Sequence, residues 1–290
     1  LNHNKTDILD KQLVDSFIER ALTEDVGDGD HTSLATIPQG TMGKAQLLVK
    51  DTGVLAGVEL AIEIFNIVNP GLKVDVLLQD GASIKPKDVV LTVEGSVHCI
   101  LKAERLVLNC MQRMSGIATK TREITDLLQG TNTKVLDTRK TTPGFRYLEK
   151  WAVQIGGGVN HRFGLYDMIL IKDNHVDYSG GIREAIYNTH EYLKAENKKL
   201  PIEIEVRNQE ELEQVLETGG IDRILLDNFN IPDLINALNI ISGRYATEAS
   251  GGITADNIKD YADCGVDYIS VGALTHSVKS LDLSLKAVKQ

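Results

Sequence analysis

Positive charge is in short supply in this chain: 31 Lys and Arg stand against 41 Asp and Glu in 290 residues, a formal net charge of −10. A broad nucleic-acid surface needs a basic stripe, so this balance argues against nucleic acid as a partner. Cysteine is scarce as well. Cys99, Cys110 and Cys264 are widely spaced, odd in number and contain no CxxC pair. That argues against a disulfide framework or a zinc site and suits a reducing cytoplasm. No apolar run approaches the roughly 20 residues a membrane helix needs. The start, LNHNKTDILDKQ, lacks the basic-then-apolar pattern of a secretory signal. His98, His175 and His276 show no metal-ligand spacing, and Gly27–Asp30 reads as a turn because no Glu completes a calcium loop.

What cationic character the chain has is concentrated. The segment LDTRKTTPGFR, Leu136 to Arg146, carries Arg139, Lys140 and Arg146 with Thr138, Thr141 and Thr142. Guanidinium forks match planar oxyanions and hydroxyls fill the remaining acceptors, so this is chemistry for carboxylates and phosphates. Arg146 lies beyond the turn at Pro143-Gly144 and reads as structural.

The apolar pattern divides the chain. Ile8, Leu9, Leu13, Phe17, Ile18 and Leu22 sit at helical spacing. Short β-like runs follow at 45–49, 74–78 and 89–93, with a helix over 58–68 stopped by Asn69-Pro70-Gly71. A long helix is expected over 97–129, broken near Gly116. From Lys134 onward strand and helix alternate: KVLDT, MILIKDNH, IEIEV, RILLDN, YATEASGG and YISVGA, separated by helical patterns at 183–195, 209–217, 232–240 and 256–263. This alternation predicts an α/β protein with a parallel sheet, most simply a barrel. The expected domains are 1–115, a helix with a small α+β fold, and 116–290, the catalytic α/β barrel, with a final helix returning to the first domain.

Polar residues gather where those strands end, which in α/β barrels is where chemistry collects. Asn160-His161-Arg162, after three glycines, is either a solvated loop or a second cationic arm beside Arg139. Lys172 follows a buried-strand pattern and is either an electrostatic or a Schiff-base lysine. Glu203 and Glu205 share one face of their strand, with Glu205 nearer its end. With Asp227 it suits sugar hydroxyls and a Mg²⁺ held through water or substrate oxygens. Ser250-Gly251-Gly252 and Gly272-Ala273 offer small turns in which backbone N–H groups reach a phosphate. Arg105, by its surroundings alone, is a surface cation.

These segments resemble the quinolinate phosphoribosyltransferase family. The likeness is carried in order by EDVGDGDHTS (24–33), ERLVLNCMQRMSGIAT (104–119), LDTRKTTPGFR (136–146), GGGVNHR (156–162), MILIKDNH (168–175), IEIEV (202–206), LLDN (225–228), ASGGI (249–253) and SVGALTHS (270–277). The resemblance implies an N-terminal α/β sandwich domain and an incomplete C-terminal barrel. It also implies a homodimer with shared sites, or a hexamer built from it, and Mg²⁺. Arg105 would reach the partner subunit's site. Arg139, His161, Arg162 and Lys172 would hold quinolinate's carboxylates, with Thr138 as a local donor. Lys140 and His276 would meet pyrophosphate or phosphate, and Glu205 and Asp227 the ribose and the metal. Ser250–Gly252 and Val271, Gly272 and Ala273 would cradle the 5′-phosphate of 5-phosphoribosyl-1-pyrophosphate. Lys140, Lys172, Glu205 and Asp227 are the implied catalytic set. The implied reaction yields nicotinate mononucleotide, CO₂ and pyrophosphate, in NAD biosynthesis.

Overall fold

A computed structural model describes residues 11–288, so the helical positions Ile8 and Leu9 lie outside the described residues. The chain forms two compact units. Among the described residues, one takes the chain through Arg122, then Thr142–Gly157, then everything from Ser277. The other takes Glu123–Thr141 and Gly158–His276. These units differ from a single division at 115/116 because a helix after the cationic segment and the last strand both return to the first unit.

In the first unit, α1 (Lys11–Val26) buries Val14 and Ile18, and α2 (His31–Thr36) starts where Asp30 accepts the Ser33 amide. Next come β1 (Met42–Val49), β2 (Gly53–Val54), α3 (Val58–Val68), β3 (Lys73–Val76), β4 (Ser83–Ile84) and β5 (Val89–Ser96). β1 shows the period-2 signature of a half-buried strand: Ala45, Leu47 and Val49 are buried and their neighbours are not. Leu47 and Val49, fully buried, are each worth roughly 1.5–3 kcal/mol. α4 (Val97–Leu127) is continuous through Gly116. That glycine does not break the helix; a Cβ there would run into the backbone of Lys279, so it serves close approach.

Two elements of this unit depart from the sequence expectation. α5 (Arg146–Ile155) fills a stretch for which no helix was expected, and its Glu149 is fully buried. Glu149 accepts from Arg113 at 2.8 Å and from the Thr142 amide and hydroxyl at 3.1 and 2.9 Å, which satisfies the buried charge. The expected final helix is instead a strand, β12 (Leu283–Ala287), which pairs antiparallel with β1 at the edge of a four-stranded sheet of order β12-β1-β5-β3. Its LSLKA sequence alternates, with Leu283 and Leu285 buried, so period 2 wins over helix propensity.

The second unit is an open α/β barrel. Its strands are β6 (Lys134–Leu136), β7 (Ile169–Ile171), β8 (Ile202–Val206), β9 (Arg223–Asp227), β10 (Ala246–Ser250) and β11 (Tyr268–Ser270). All pair in parallel, in the order β6-β11-β10-β9-β8-β7. β6 and β7 lie at opposite ends of that order, so the barrel is incomplete, and Val159 makes an isolated parallel bridge to Leu136 on β6. Its helices are α6 (Asp173–Ser179), α7 (Ile182–Ala195), α8 (Gln209–Thr218), α9 (Ile231–Ile241), α10 (Ile258–Asp263) and α11 (Ala273–His276). β8 is buried at every residue, as a parallel strand covered on both faces should be.

Candidate active site

The strand order brings the charged strand ends together. β6 hands the chain to Asp137, Thr138, Arg139 and Lys140. Asp137 is fully buried and accepts the His161 amide at 2.9 Å, which fixes the NHR segment beside the cationic one. The Lys140 amide donates to Thr138 Oγ1 at 3.1 Å, and the Lys140 carbonyl accepts from the buried Thr275 hydroxyl at 2.8 Å. Arg162 donates through Nη1 to the Met168 carbonyl at 3.3 Å. Burial, and then the positive charge of Arg139, push the Arg162 pKa down. Two guanidiniums are thus near enough to repel each other, and a bound anion would relieve them.

Across the sheet, Lys172 follows β7 and N-caps α6, where its amide donates to His175 Nδ1 at 2.9 Å. Its Nζ meets Glu205 Oε2 at 2.8 Å. Glu205 is almost fully buried while the Lys172 side chain is half exposed, so the ion pair opens towards solvent on the lysine side. Asp227 ends β9. Burial and then the Glu205 charge push its pKa up, and Asn228 Nδ2 donates to it at 2.6 Å. A cation beside Asp227 would relieve the cost that the Glu205 charge adds to its ionisation. Hard oxygen donors beside an open rim fit a Mg²⁺ that keeps most of its waters.

The small turns lie on the same rim. Ser250 pairs with Asp227 in register, and Gly251 follows with φ +94°, where a Cβ would run into the Asn228 amide. Only glycine meets both demands. A Cβ on Gly272 would come within 3.1 Å of both His276 Nε2 and Lys140 Cδ, so those two side chains flank Gly272. Val271 is buried and Ala273 begins α11. Arg105 is exposed on α4 in the first unit.

Beneath the rim lies a layer that inspection of the sequence largely missed. His161 Nε2 sits 3.1 Å from Glu203 and 3.4 Å from Glu248, and both carboxylates are almost wholly buried. Arg223 Nη1 reaches Glu248 at 3.1 Å and Glu203 at 3.8 Å, and its guanidinium lies 4.3 Å from the centre of the Tyr268 ring. Burial alone would lower the His161 pKa, but Glu203 and Glu248 outweigh it and raise it to about 9. Burial and Glu248 push Glu203 up as well. The Arg162 amide donates to His161 Nδ1 at 2.7 Å, which requires a lone pair there. That bond and the raised pKa belong to one coupled His161–Glu203 pair: with Nδ1 accepting, the ring carries its proton on Nε2 and the pair's additional proton lies with Glu203, whose pKa is raised too. His161 turns its Nε2 edge to these buried carboxylates. His161, Glu203 and Glu248 have ligand atoms within 4.8 Å of one another, as a metal site would. Arg223 already supplies the positive charge.

Two family models match the chain: the C-terminal domain of quinolinate phosphoribosyl transferase over residues 117–286 and its N-terminal domain over 30–115. A chloroplastic nicotinate-nucleotide pyrophosphorylase [carboxylating] of Arabidopsis thaliana is 46% identical over 286 residues, covering 93% of this chain and 82% of that one. Quinolinate phosphoribosyltransferase [decarboxylating] 1b of Nicotiana tabacum is 44% identical over 284 residues, covering 93% and 81%. The solved nicotinate-nucleotide pyrophosphorylase from Francisella tularensis superposes with a TM-score of 0.91 at 36% identity, covering 99% of this chain and 100% of that one. With both of its domains matched and relatives this similar along most of their length, the chain belongs to the quinolinate phosphoribosyl transferase family.

Proposed function

We propose that the rim formed by the C-terminal ends of the six parallel strands is where this chain joins quinolinate to 5-phosphoribosyl-1-pyrophosphate. Family membership gives the reaction: nicotinate mononucleotide, CO₂ and pyrophosphate are formed, a step in NAD biosynthesis. The observation that carries the site assignment is the neighbouring pair of guanidiniums, Arg139 and Arg162. They match a pyridine bearing two adjacent carboxylates, with Thr138 as a further donor, and Lys172 adds an ammonium across the rim. Its Glu205 partner suits the electrostatic reading of Lys172 over the Schiff-base one.

The chemistry asks for orientation and charge compensation. Neutralised carboxylates let Arg139 and Arg162 turn the ring nitrogen towards the anomeric carbon. The nitrogen bonds to that carbon as the bond to pyrophosphate breaks, and positive charge grows on the ribose near Glu205 and Asp227. Lys140 and His276 accompany the leaving pyrophosphate, and the Ser250–Gly252 and Val271, Gly272 and Ala273 turns hold the 5′-phosphate. Glu205 and Asp227 are the residues that would hold Mg²⁺ through water. Bound there, it supplies charge neutralisation for the pyrophosphate. The new pyridinium nitrogen then draws the electron pair left on the adjacent carbon as CO₂ departs, and a solvent proton completes the product.

Arg105, exposed on α4, is assigned to the site of a second copy in a homodimer, singly or within a hexamer, on the strength of the family resemblance. The acidic balance supports small-molecule substrates over nucleic acid. Among the described residues no helix is long and apolar enough to cross a membrane. Three free cysteines support a reducing compartment, the cytoplasm as the sequence suggests, although the Arabidopsis relative is named chloroplastic. The test is incubation with quinolinate, phosphoribosyl pyrophosphate and Mg²⁺. The mononucleotide should form and fail to form when nicotinate replaces quinolinate; no product from quinolinate would refute the assignment.

A further inference from the structure

Two barrel strands send a carboxylate to one imidazole below the rim, and a third sends a guanidinium to those carboxylates. Glu203 comes from β8, Arg223 from β9 and Glu248 from β10, with the separations given above. Glu203 and Glu248 are at most 1% exposed in their side chains. The other face of the same imidazole points the opposite way. Its Nδ1 accepts the Arg162 amide at 2.7 Å, and the His161 amide is itself held by Asp137, two residues before Arg139. One ring therefore connects a buried charge cluster to the backbone of one arginine and, through Asp137, to the segment carrying the other.

Burying two carboxylates, a guanidinium and an imidazole costs much more than burying aliphatic side chains of the same size. A cluster of purely structural value is poorly explained by that cost. A ring whose tautomer must be fixed gives it a reason, because the hydrogen bond at one nitrogen sets the state of the other. Both carboxylates approach Nε2 and neither approaches Nδ1, which leaves Nδ1 for the amide.

We propose that Glu203, Glu248 and Arg223 are positioning residues that act through His161. By holding its proton on Nε2 and its ring in one orientation, they keep Nδ1 open to the Arg162 amide and set the direction in which Arg162 meets a carboxylate of the pyridine substrate. Arg223 serves by neutralising one of the two glutamates, so the cluster does not cancel the cations of the rim. This rests on the assignment of Arg162 to the pyridine dicarboxylate. It adds that recognition of that substrate, and not of the sugar phosphate, depends on residues that never touch it.

The test uses the full chain and two readouts. In steady-state kinetics, Glu203→Leu should raise the KM for quinolinate at least about tenfold while the KM for phosphoribosyl pyrophosphate stays within about twofold. Glu203→Gln, which keeps an oxygen for Nε2–H, should recover to within about threefold of the unsubstituted protein. Both KM values rising together, neither rising, or Gln performing no better than Leu would overturn the proposal. The second readout needs no variant. The ring ¹⁵N shifts of His161 in the unsubstituted protein should report a protonated Nε2 and a bare Nδ1 at neutral pH. An imidazolium, or a proton on Nδ1, would overturn it. Were the unsubstituted protein inactive with quinolinate, the substrate assignment would fall, while the ring-nitrogen result would still decide the tautomer.

Discussion

At the N-terminal ends of the barrel strands, Asp222 accepts the Ile202 amide at 2.7 Å and Asp267 accepts the Thr247 amide and hydroxyl at 2.9 and 2.8 Å. At the C-terminal ends of the same sheet, Lys172 pairs with Glu205, Asp227 is burdened by Glu205's charge, and Arg162 by that of Arg139. The first set is spent locally: each carboxylate satisfies a neighbouring strand's backbone and is left with little to offer a ligand. The second set is matched across strands and still strained by like charges, so a bound polyanion and a cation improve it. Between the two lies the His161 layer, paired like the bottom and shaped for the top. With the chemistry assigned to the rim as proposed, one parallel sheet separates it from the residues that hold the fold by a few positions along each strand.

Substitutions at the two ends should separate activity from stability. The largest effect is expected at the top, where Lys172→Ala should lower kcat/KM about 100-fold, or about 2.7 kcal/mol, with a denaturation midpoint near that of the unsubstituted protein. A loss of stability without a loss of rate would reverse the assignment of the two ends. Gly251→Ala adds a Cβ at a left-handed residue already against Asn228. It should cost about 1–3 kcal/mol of strain, read as weaker binding of phosphoribosyl pyrophosphate as the turn shifts. At the bottom, Asp267→Ala should cost about 1 kcal/mol in denaturant unfolding and leave kcat/KM within about twofold. A larger kinetic than thermodynamic effect there would blur the comparison.

The middle layer should show itself through pH. Against burial, Glu203 and Glu248 raise the His161 pKa to about 9, and because the Nδ1 bond keeps the ring neutral, that proton belongs to the His161–Glu203 pair: the folded pair holds it and the unfolded chain releases it. That contribution to stability is complete below about pH 6.5 and is lost as pH climbs towards about 9. Melting temperature should fall over that window, and Glu203→Gln should flatten the fall. A profile already flat in the unsubstituted protein would remove the shared proton from the account.

Much of the top end is legible in the sequence, because strands that end in Arg139, Lys172, Glu205 and Asp227 mark themselves by one charge after an apolar run. Of the two glutamates on β8, Glu205 meets Lys172 and Glu203, one pleat lower, meets His161. Glu248 and Arg223 escape notice for a physical reason. Glu203 aligns with Arg223 on β9, and Glu248 with Leu225 on the same strand, only once the sheet is assembled. The available signal was a carboxylate in the middle of the ATEAS strand. α5 was hidden because its Glu149 and Lys150 are buried, against the usual rule that charges mark the solvent face. β12 was hidden because five residues of LSLKA satisfy either period until β1 supplies a partner.

On the proposed assignment, the rim couples transfer of the phosphoribosyl group to loss of one carboxylate. Quinolinate labelled in the carboxylate adjacent to the ring nitrogen tests it most directly, with CO₂ and pyrophosphate counted in the same reaction. One labelled CO₂ should appear for each pyrophosphate, with no turnover of nicotinate. Pyrophosphate released without labelled CO₂, or nicotinate consumed as readily as quinolinate, would contradict it.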